Sequence, residues 1–438
     1  MAQGNGNATA GQVESLSPVQ QVGVPQDVAA LTSNVNLAAI EAFRQQAVFQ
    51  EVSLKQMSIS AIGGDDTQQI ASVGLGFRTK RHHKLTLAVS NSNAAAQTFT
   101  ISPLFPFNIS KLVEIAVQGS ATVHSVGGPA DLLIAMRNAR GSLHMSQLGG
   151  YGYGLDPALV HFSGIDASMT PTNAAIADQC MCGIKSISVA ATTVSKPLVI
   201  EWYSEEKFAQ NKTNLMGALP LQNSSVFATI KETMVNNLVT TSATDTTTPF
   251  YNAGADVTMA LTSYTIDTTY EFATVPNNPA LYQAMIQNSY QLQQQNGLTV
   301  NATGAEALDY TLPTKQYLTA LHILAVDGNG APLGFADLSK LQLQYGGGVI
   351  HPMTRFPNRG RGDQFKVYGH DLAHIAGYFL WDGEATTDSI VNADSMGWLN
   401  LYNISDAHLI ADVAAGKVTP IKYSVIREQV VAGALKIS

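Results

Sequence analysis

Charge is scarce in this chain. Lys and Arg number 24 and Asp and Glu 32 in 438 residues, 13% in all, about half the share of an average soluble domain. The formal net charge of −8 argues against a sequence-independent nucleic-acid binder, whose phosphate contacts need a basic face. Cysteine is scarcer still. Cys180 and Cys182 stand one residue apart, too close for an unstrained bridge and too few for a metal cage, so a reducing compartment is expected. No apolar run approaches the ~20 residues that cross a bilayer, and the first 25 residues lack the basic-then-apolar order of a secretory signal. Catalytic signatures are missing as well: no Ser–His–acid order, no paired carboxylates and no Gly-rich nucleotide fingerprint stand out. No catalytic, cofactor or metal residue is expected, and the chain reads as a non-enzyme.

What is present folds. Hydrophobic residues make up 45% of the chain, with 15 Tyr and 15 Phe, too apolar for wholesale disorder. The length suits two good-sized domains or one large one. Residues 1–33 are Gly, Asn, Gln, Ser and Pro with scattered Val, an arm that buries too little to order alone. From Asn36, Leu37, Ile40, Phe43 and Ala47 recur at helical spacing, with Glu41–Arg44 and Glu51–Lys55 at supporting charge spacings, which predicts a helix of about five turns. Beyond Val52 the period falls to two. Leu85, Leu87 and Val89 alternate with polar neighbours, as do Phe99 and Ile101, Ile115 and Val117, Ala121 and Val123, and residues 198–203. After a Gly- and Pro-bearing connector at 211–221 the theme resumes at 227–231, 258–272, 318–326, 378–381, 398–404 and 421–431, the pattern of antiparallel sandwiches. Two helices are expected within the second half. One is capped by Asn278 and Pro279 and closed by Gly297, and the other spans 335–345 before Gly346. "VDGNG" at 326–330 is a turn signal.

Several short motifs have both a chemical and a bland reading. His370 and His374 have the spacing of a helical zinc pair but lack the glutamate base of a zincin. Arg81 to Lys84, "RHHK", could touch phosphate or lipid headgroups, but reads more simply as a solvated loop before the strand at Leu85. Ala414 to Lys417 lacks the Gly and Ser or Thr of a phosphate loop and is a turn. Arg361-Gly362-Asp363 is an integrin-type tripeptide in a Gly-rich loop, read here as a turn. Tyr151 to Gly154 is an aromatic loop suited to packing on a neighbouring subunit. Low charge with abundant Ala, Thr, Asn and Gln suits broad surfaces buried against other chains, where Lys and Glu would have to be desolvated.

Particular stretches carry a family resemblance. "NLAAIEAFRQQAVFQEVSLKQ" at 36–56, "EWYSEEKFAQNKTNLMGALPLQNSS" at 201–225, "SYTIDTTYEFATVP" at 263–276, "ALYQAMIQNS" at 280–289, "QYLTALHILAVDGNGAPLG" at 316–334, and then "GYFLWD" and "WLNLYNI" occur in order. Together they resemble the double jelly-roll major capsid proteins of tectivirus-type, membrane-containing bacteriophages, the lineage of the adenovirus hexon. The pieces cover about half of the chain and are densest between Glu201 and Gly348.

The resemblance implies a mainly β fold of two tandem eight-stranded jelly rolls, an N-terminal helix, and helical insertions mostly in the second jelly roll. The expected divisions are 1–51 for arm and helix, 52–215 for the first jelly roll and 216–438 for the second. It implies homotrimeric pseudo-hexagonal capsomers tiling an icosahedral virion shell over an internal lipid membrane. The implied partners are other copies of the chain, minor capsid and vertex proteins, and that membrane, with synthesis in the host cytoplasm, no cofactor and no direct nucleic-acid contact. Leu37, Ile40, Phe43, Arg44, Ala47, Phe49, Leu54 and Lys55 are then expected at the inner surface, against a neighbour or lipid; packing beneath the chain's own jelly roll is the open alternative. A jelly-roll carbohydrate-binding protein or receptor-binding spike would share the strand pattern.

Overall fold

The structure, a computed structural model, describes residues 47–70, 74–117, 122–128, 160–174, 182–208, 218–221, 227–254, 256–274, 288–334, 336–345, 348–352, 377–382, 398–404 and 406–432. It is built of strands. Two 18-residue strands, Gly74–Asn91 and Val257–Thr274, pair antiparallel along almost their whole length. Lys196–Lys207 lies along the other side of Gly74–Asn91, and Val48–Ser53 closes one edge of this seven-stranded sheet. Its inner face presents Leu85, Leu87, Val89, Leu198, Ile200, Trp202, Tyr264 and Ile266. They meet Phe99, Ile101, Ile187 and Val189 of a five-stranded sheet, and Ile115, Val117 and Ile230 of a third sheet, in one apolar core. Alternation, with side chains pointing in at every second position, is what lets each strand serve this core on one face only.

A second core lies between the strands Asn288–Val300, Tyr317–Val326, Tyr378–Asp382 and Ile421–Ala432 on one side and a four-stranded sheet of Gly304–Thr311, Leu338–Tyr345, Gly348–Pro352 and His408–Val413 on the other. Leu321, Ile323, Leu341, Leu343, Leu409, Ala411, Tyr423 and Val425 fill it. The two units share a sheet. Leu292 and Gln293 pair in parallel with His124 and Ser125, making a nine-stranded sheet that runs from Tyr378–Asp382 in the second unit to Asp65–Ile70 in the first.

Several expectations are corrected here. The predicted N-terminal helix does not reach Lys55: Val48–Ser53 is a strand, because β-branched Val48 and Val52 find backbone partners along residues 269–274. Positions 37, 40, 43 and 44 lie outside the described residues. The helix expected to end at Gly297 is overridden by Asn288–Val300, which pairs with Ile421–Ala432. The one expected over 335–345 is replaced by Leu338–Tyr345, where Leu341-Gln342-Leu343-Gln344 alternates at period two. In both, long-range pairing outweighs a weak helical propensity. The "RHHK" stretch is mid-strand rather than a loop. Strands on both sides of residue 215 pair with one another, Ala228–Met234 with Ser110–Val117 and Val257–Thr274 with Gly74–Asn91, and one core takes in residues from Met57 to Phe272 together with Tyr378.

Other expectations hold. "VDGNG" is a turn in which Asp327 Oδ1 accepts the backbone N–H groups of Asn329 (2.8 Å) and Ala331 (2.9 Å), and Gly330 takes the left-handed conformation at φ +79°. Residues 414–417 turn between strands. His370, His374, Arg361 to Asp363, Cys180 and Tyr151 to Gly154 lie outside the described residues, while Cys182 is buried.

At Gly76 the fold requires a missing side chain, since a Cβ there would lie 1.9 Å from the Tyr270 hydroxyl. Tyr270 is fully buried and its hydroxyl has no hydrogen-bond partner among the described residues. Gly76→Ala is therefore expected to lower unfolding stability by about 1–3 kcal/mol through overpacking. Tyr270→Phe, which removes an unsatisfied buried hydroxyl, should be neutral or stabilising. Denaturant melts of the two variants check both.

Candidate functional site

The most chemically loaded cluster lies inside the first core. Alternation along Gly74–Asn91 sends Thr79, Arg81 and His83 inward, while Lys80, His82 and Lys84 point outward. Trp202, Ser204 and Glu206 alternate on Lys196–Lys207 beside them, Tyr264 comes from Val257–Thr274, and Glu232 from Ala228–Met234 across the core. Arg81 is 1% exposed.

Each carboxyl group accepts three hydrogen bonds. Glu206 takes one from Thr79 Oγ1 (2.6 Å), one from Arg81 Nε (2.8 Å) and one from Arg81 Nη2. Glu232 takes one from Arg81 Nη1, one from Ser110 Oγ and one from Tyr264 Oη (2.6 Å). Because Tyr264 gives its proton to Glu232, its oxygen accepts from His83 Nδ1 (2.9 Å), and His83 Nε2 accepts from the Ser204 hydroxyl (2.7 Å). That order fixes the imidazole as the Nδ1–H tautomer. The ring stacks on Trp202 with centroids 4.8 Å apart and planes 2° from parallel. Burial pushes the His83 pKa well below its ordinary value and the Arg81 charge adds to this, with Glu206 opposing. Burial likewise pushes Tyr264 well above its ordinary range, and the Glu232 carboxylate adds to it. His83 is neutral. The cluster is closed and internally satisfied, so its work is to tie three strands of one sheet to a strand of the facing layer.

A second triad lies on the opposite face of the second unit's sheet from its core. His322 Nε2 lies 2.6 Å from Glu428 Oε1 and His322 Nδ1 lies 2.7 Å from Tyr378 Oη, all within fully or nearly fully buried side chains. Tyr378 belongs to the first core, with Leu324 and Leu380 packed against it. The triad therefore marks the seam between the two units. Thr246 N donates to Gly330 O (3.2 Å) across the same seam, and Gln293 Nε2 donates to Thr122 O (2.6 Å) beside the shared strand pairing.

The residues expected at an inner surface are only partly brought together. Phe49 packs on Phe77 of its own sheet at 5.4 Å between ring centroids, Leu54 is half-buried against the first core, Ala47 is half-buried, and Lys55 is exposed. For Phe49 and Leu54 the described contacts are with the chain's own jelly roll. Around them the outer face of the seven-stranded sheet carries paired charges: Lys80 with Glu51, Lys84 with Glu201 (3.1 Å), and Arg78 with Glu271. Among the described residues no three His, Cys, Asp or Glu side chains converge to hold a metal, and no helix is long and apolar enough to cross a membrane. Arg81, His83, Glu206 and Glu232 were missed as a cluster. The signal was the alternation of Leu85, Leu87 and Val89, which extends backwards to 83, 81 and 79.

No family model matches the chain, and no curated protein matches it in sequence. Solved structures do match. The STIV MCP superposes with a TM-score of 0.56 at 12% identity, over 88% of this chain and 98% of that one. The Faustovirus major capsid protein gives 0.51 at 9% identity, over 88% and 90%, and the PBCV-1 virus capsid gives 0.50 at 10%, over 89% and 95%. The fold is thus the one shared by double jelly-roll major capsid proteins, as the sequence resemblance implied.

Truncating Arg81 to Met leaves two buried carboxyl groups without their shared cation and is expected to cost about 3–5 kcal/mol, read from denaturant unfolding. His83 supplies a pH signature. Its folded pKa lies below its unfolded value near 6.5, so its contribution is fully present above that pH and is lost as the pH falls through it. The slope approaches about 1.4 kcal/mol per pH unit below that point. His83→Gln should flatten the acid limb of the stability curve, and an unchanged limb would show that the proton goes elsewhere.

Proposed function

We propose that this chain is a major capsid protein and a structural protein rather than a catalyst, acting through self-assembly in a virion shell. The observation that carries this reading is the fold likeness, which extends over nearly nine-tenths of this chain and nearly the whole of each capsid protein compared. Two packed cores fused through one sheet supply what a capsomer subunit needs, a rigid block with two lobes. We place the division between the jelly rolls after Val257–Thr274 and before Asn288–Val300. Three such chains give six lobes, a pseudo-hexagonal tile that fills a hexagonal lattice with identical subunits. The finer features of the reading are a homotrimer, an icosahedral shell with minor capsid and vertex proteins, and a bacteriophage-type internal membrane beneath it.

The low charge of the chain supports burial of well over ~2,000 Å² between subunits, as in obligate interfaces. The purified full-length chain should have a native mass three times its 46.5 kDa, and its melting temperature should rise with protein concentration because folding and association are linked. A chain that stays monomeric and stable at high concentration contradicts the proposal.

The arm has its own test. The Val48–Ser53 strand is part of the sheet, so removal of residues 1–46 should leave a soluble trimer with native β-type circular dichroism that no longer closes shells. Removal of residues 1–55 strips that strand, bares the 269–274 edge and should promote aggregation. If the chain lacking 1–46 closes shells as well as the full chain, the arm has no part in assembly.

A further inference from the structure

The second core holds a guanidinium, that of Arg427, with no carboxylate partner among the described residues. Ile421, Tyr423 and Val425 alternate into that core, and the same alternation along Ile421–Ala432 carries Arg427 and Gln429 onto the same face. Arg427 sits opposite Gln293 on one neighbouring strand and Leu321 on the other. It is 9% exposed. Its Nε has no hydrogen-bond partner, and among the described residues no carboxylate lies within ion-pair distance of it. Burial lowers its pKa from the ordinary value, and Tyr310 of the facing sheet is the group that counters this. Arg81, 1% exposed, is held by two carboxyl groups, and Arg427, 9% exposed, has no such partner among the described residues. Further polar atoms are left over on the same face. Gln429 Oε1 and Tyr423 Oη are buried without partners, while Gln429 Nε2 is engaged by Gln291 Oε1 (3.1 Å).

A charged group taken this far out of water is retained when an opposite charge accompanies it. No side chain among the described residues supplies that charge. We propose that Arg427 is the anchor of a binding site for a small free oxyanion of the phosphate class, held between the two sheets of the second jelly roll. The planar guanidinium offers two parallel N–H donors to such an ion. A monohydrogen phosphate also carries an O–H, which gives Gln429 Oε1 the donor it lacks. A side chain buried to this degree within a sheet-on-sheet core is reached by a small free ion rather than by a headgroup anchored in a bilayer. The bound ion would lock the second core in the way the two glutamates lock the first. This inference concerns the chain's own core and stands independently of the capsid reading.

The test uses full-length protein freed of phosphate by dialysis. Calorimetric titration with inorganic phosphate is expected to show one site per chain, and the melting temperature should climb with phosphate but not with sodium chloride of equal ionic strength. Arg427→Met should abolish both effects. Arg427→Lys keeps the charge and loses the fork, so it should bind about tenfold more weakly; it also serves if the Met variant does not fold. Wild-type protein indifferent to phosphate, or a Lys or Met variant that responds as the wild type does, overturns the proposal.

Discussion

The seam between the two cores is the constraint on which the rest of the molecule depends. Each core could be covered by its own sheets, yet Leu292 and Gln293 pair with His124 and Ser125 to make one sheet continuous through both units. His322, Glu428 and Tyr378 then bury a hydrogen-bonded triad on the face that meets the first core. A polar triad costs free energy when buried and recovers it only at its built geometry. The seam therefore specifies one relative placement of the two units. Loosely tethered lobes could not hold lattice angles, whereas fused ones can.

Inside each lobe, polar groups do the specifying and apolar groups supply the bulk. The first core sets Arg81, Glu206 and Glu232 among Trp202, Tyr264 and Leu85, all nearly inaccessible to water. Any slip of Gly74–Asn91 by one residue would turn Arg81 outward and bring Lys80 or His82 into the core. The network thus guards the register of the strand pair that organises the seven-stranded sheet. On the outer face of that sheet Lys80, Lys84 and Arg78 are paired with Glu51, Glu201 and Glu271.

The β class, most strand positions and the turn at 326–330 were legible in the sequence because period-two alternation and turn chemistry are local signals. Other features were not. Val48–Ser53, Asn288–Val300 and Leu338–Tyr345 have locally helical features, and they are strands because partners about 220, 130 and 70 residues away complete their ladders. The Gly- and Pro-bearing connector gives no local sign that Leu219–Leu221 pairs with Gly74 to Gly76, about 145 residues away. The buried ionic cluster could have been read from Leu85 backwards, but a basic run on a half-apolar strand looks like a solvated loop until Glu206 and Glu232 are seen to face it. His322 in "TALHILAV" gives no sign of its role, since its partners come from strands 56 and 106 residues away.

A density map of assembled particles bears most directly on the central claim, that one chain supplies two fused lobes of a shell-forming tile. The account predicts tiles with six lobes and three chains, in which each chain fills two adjacent lobes and the nine-stranded sheet bridges them. Tiles of six separate chains, or a chain found only in projecting spikes, would contradict it.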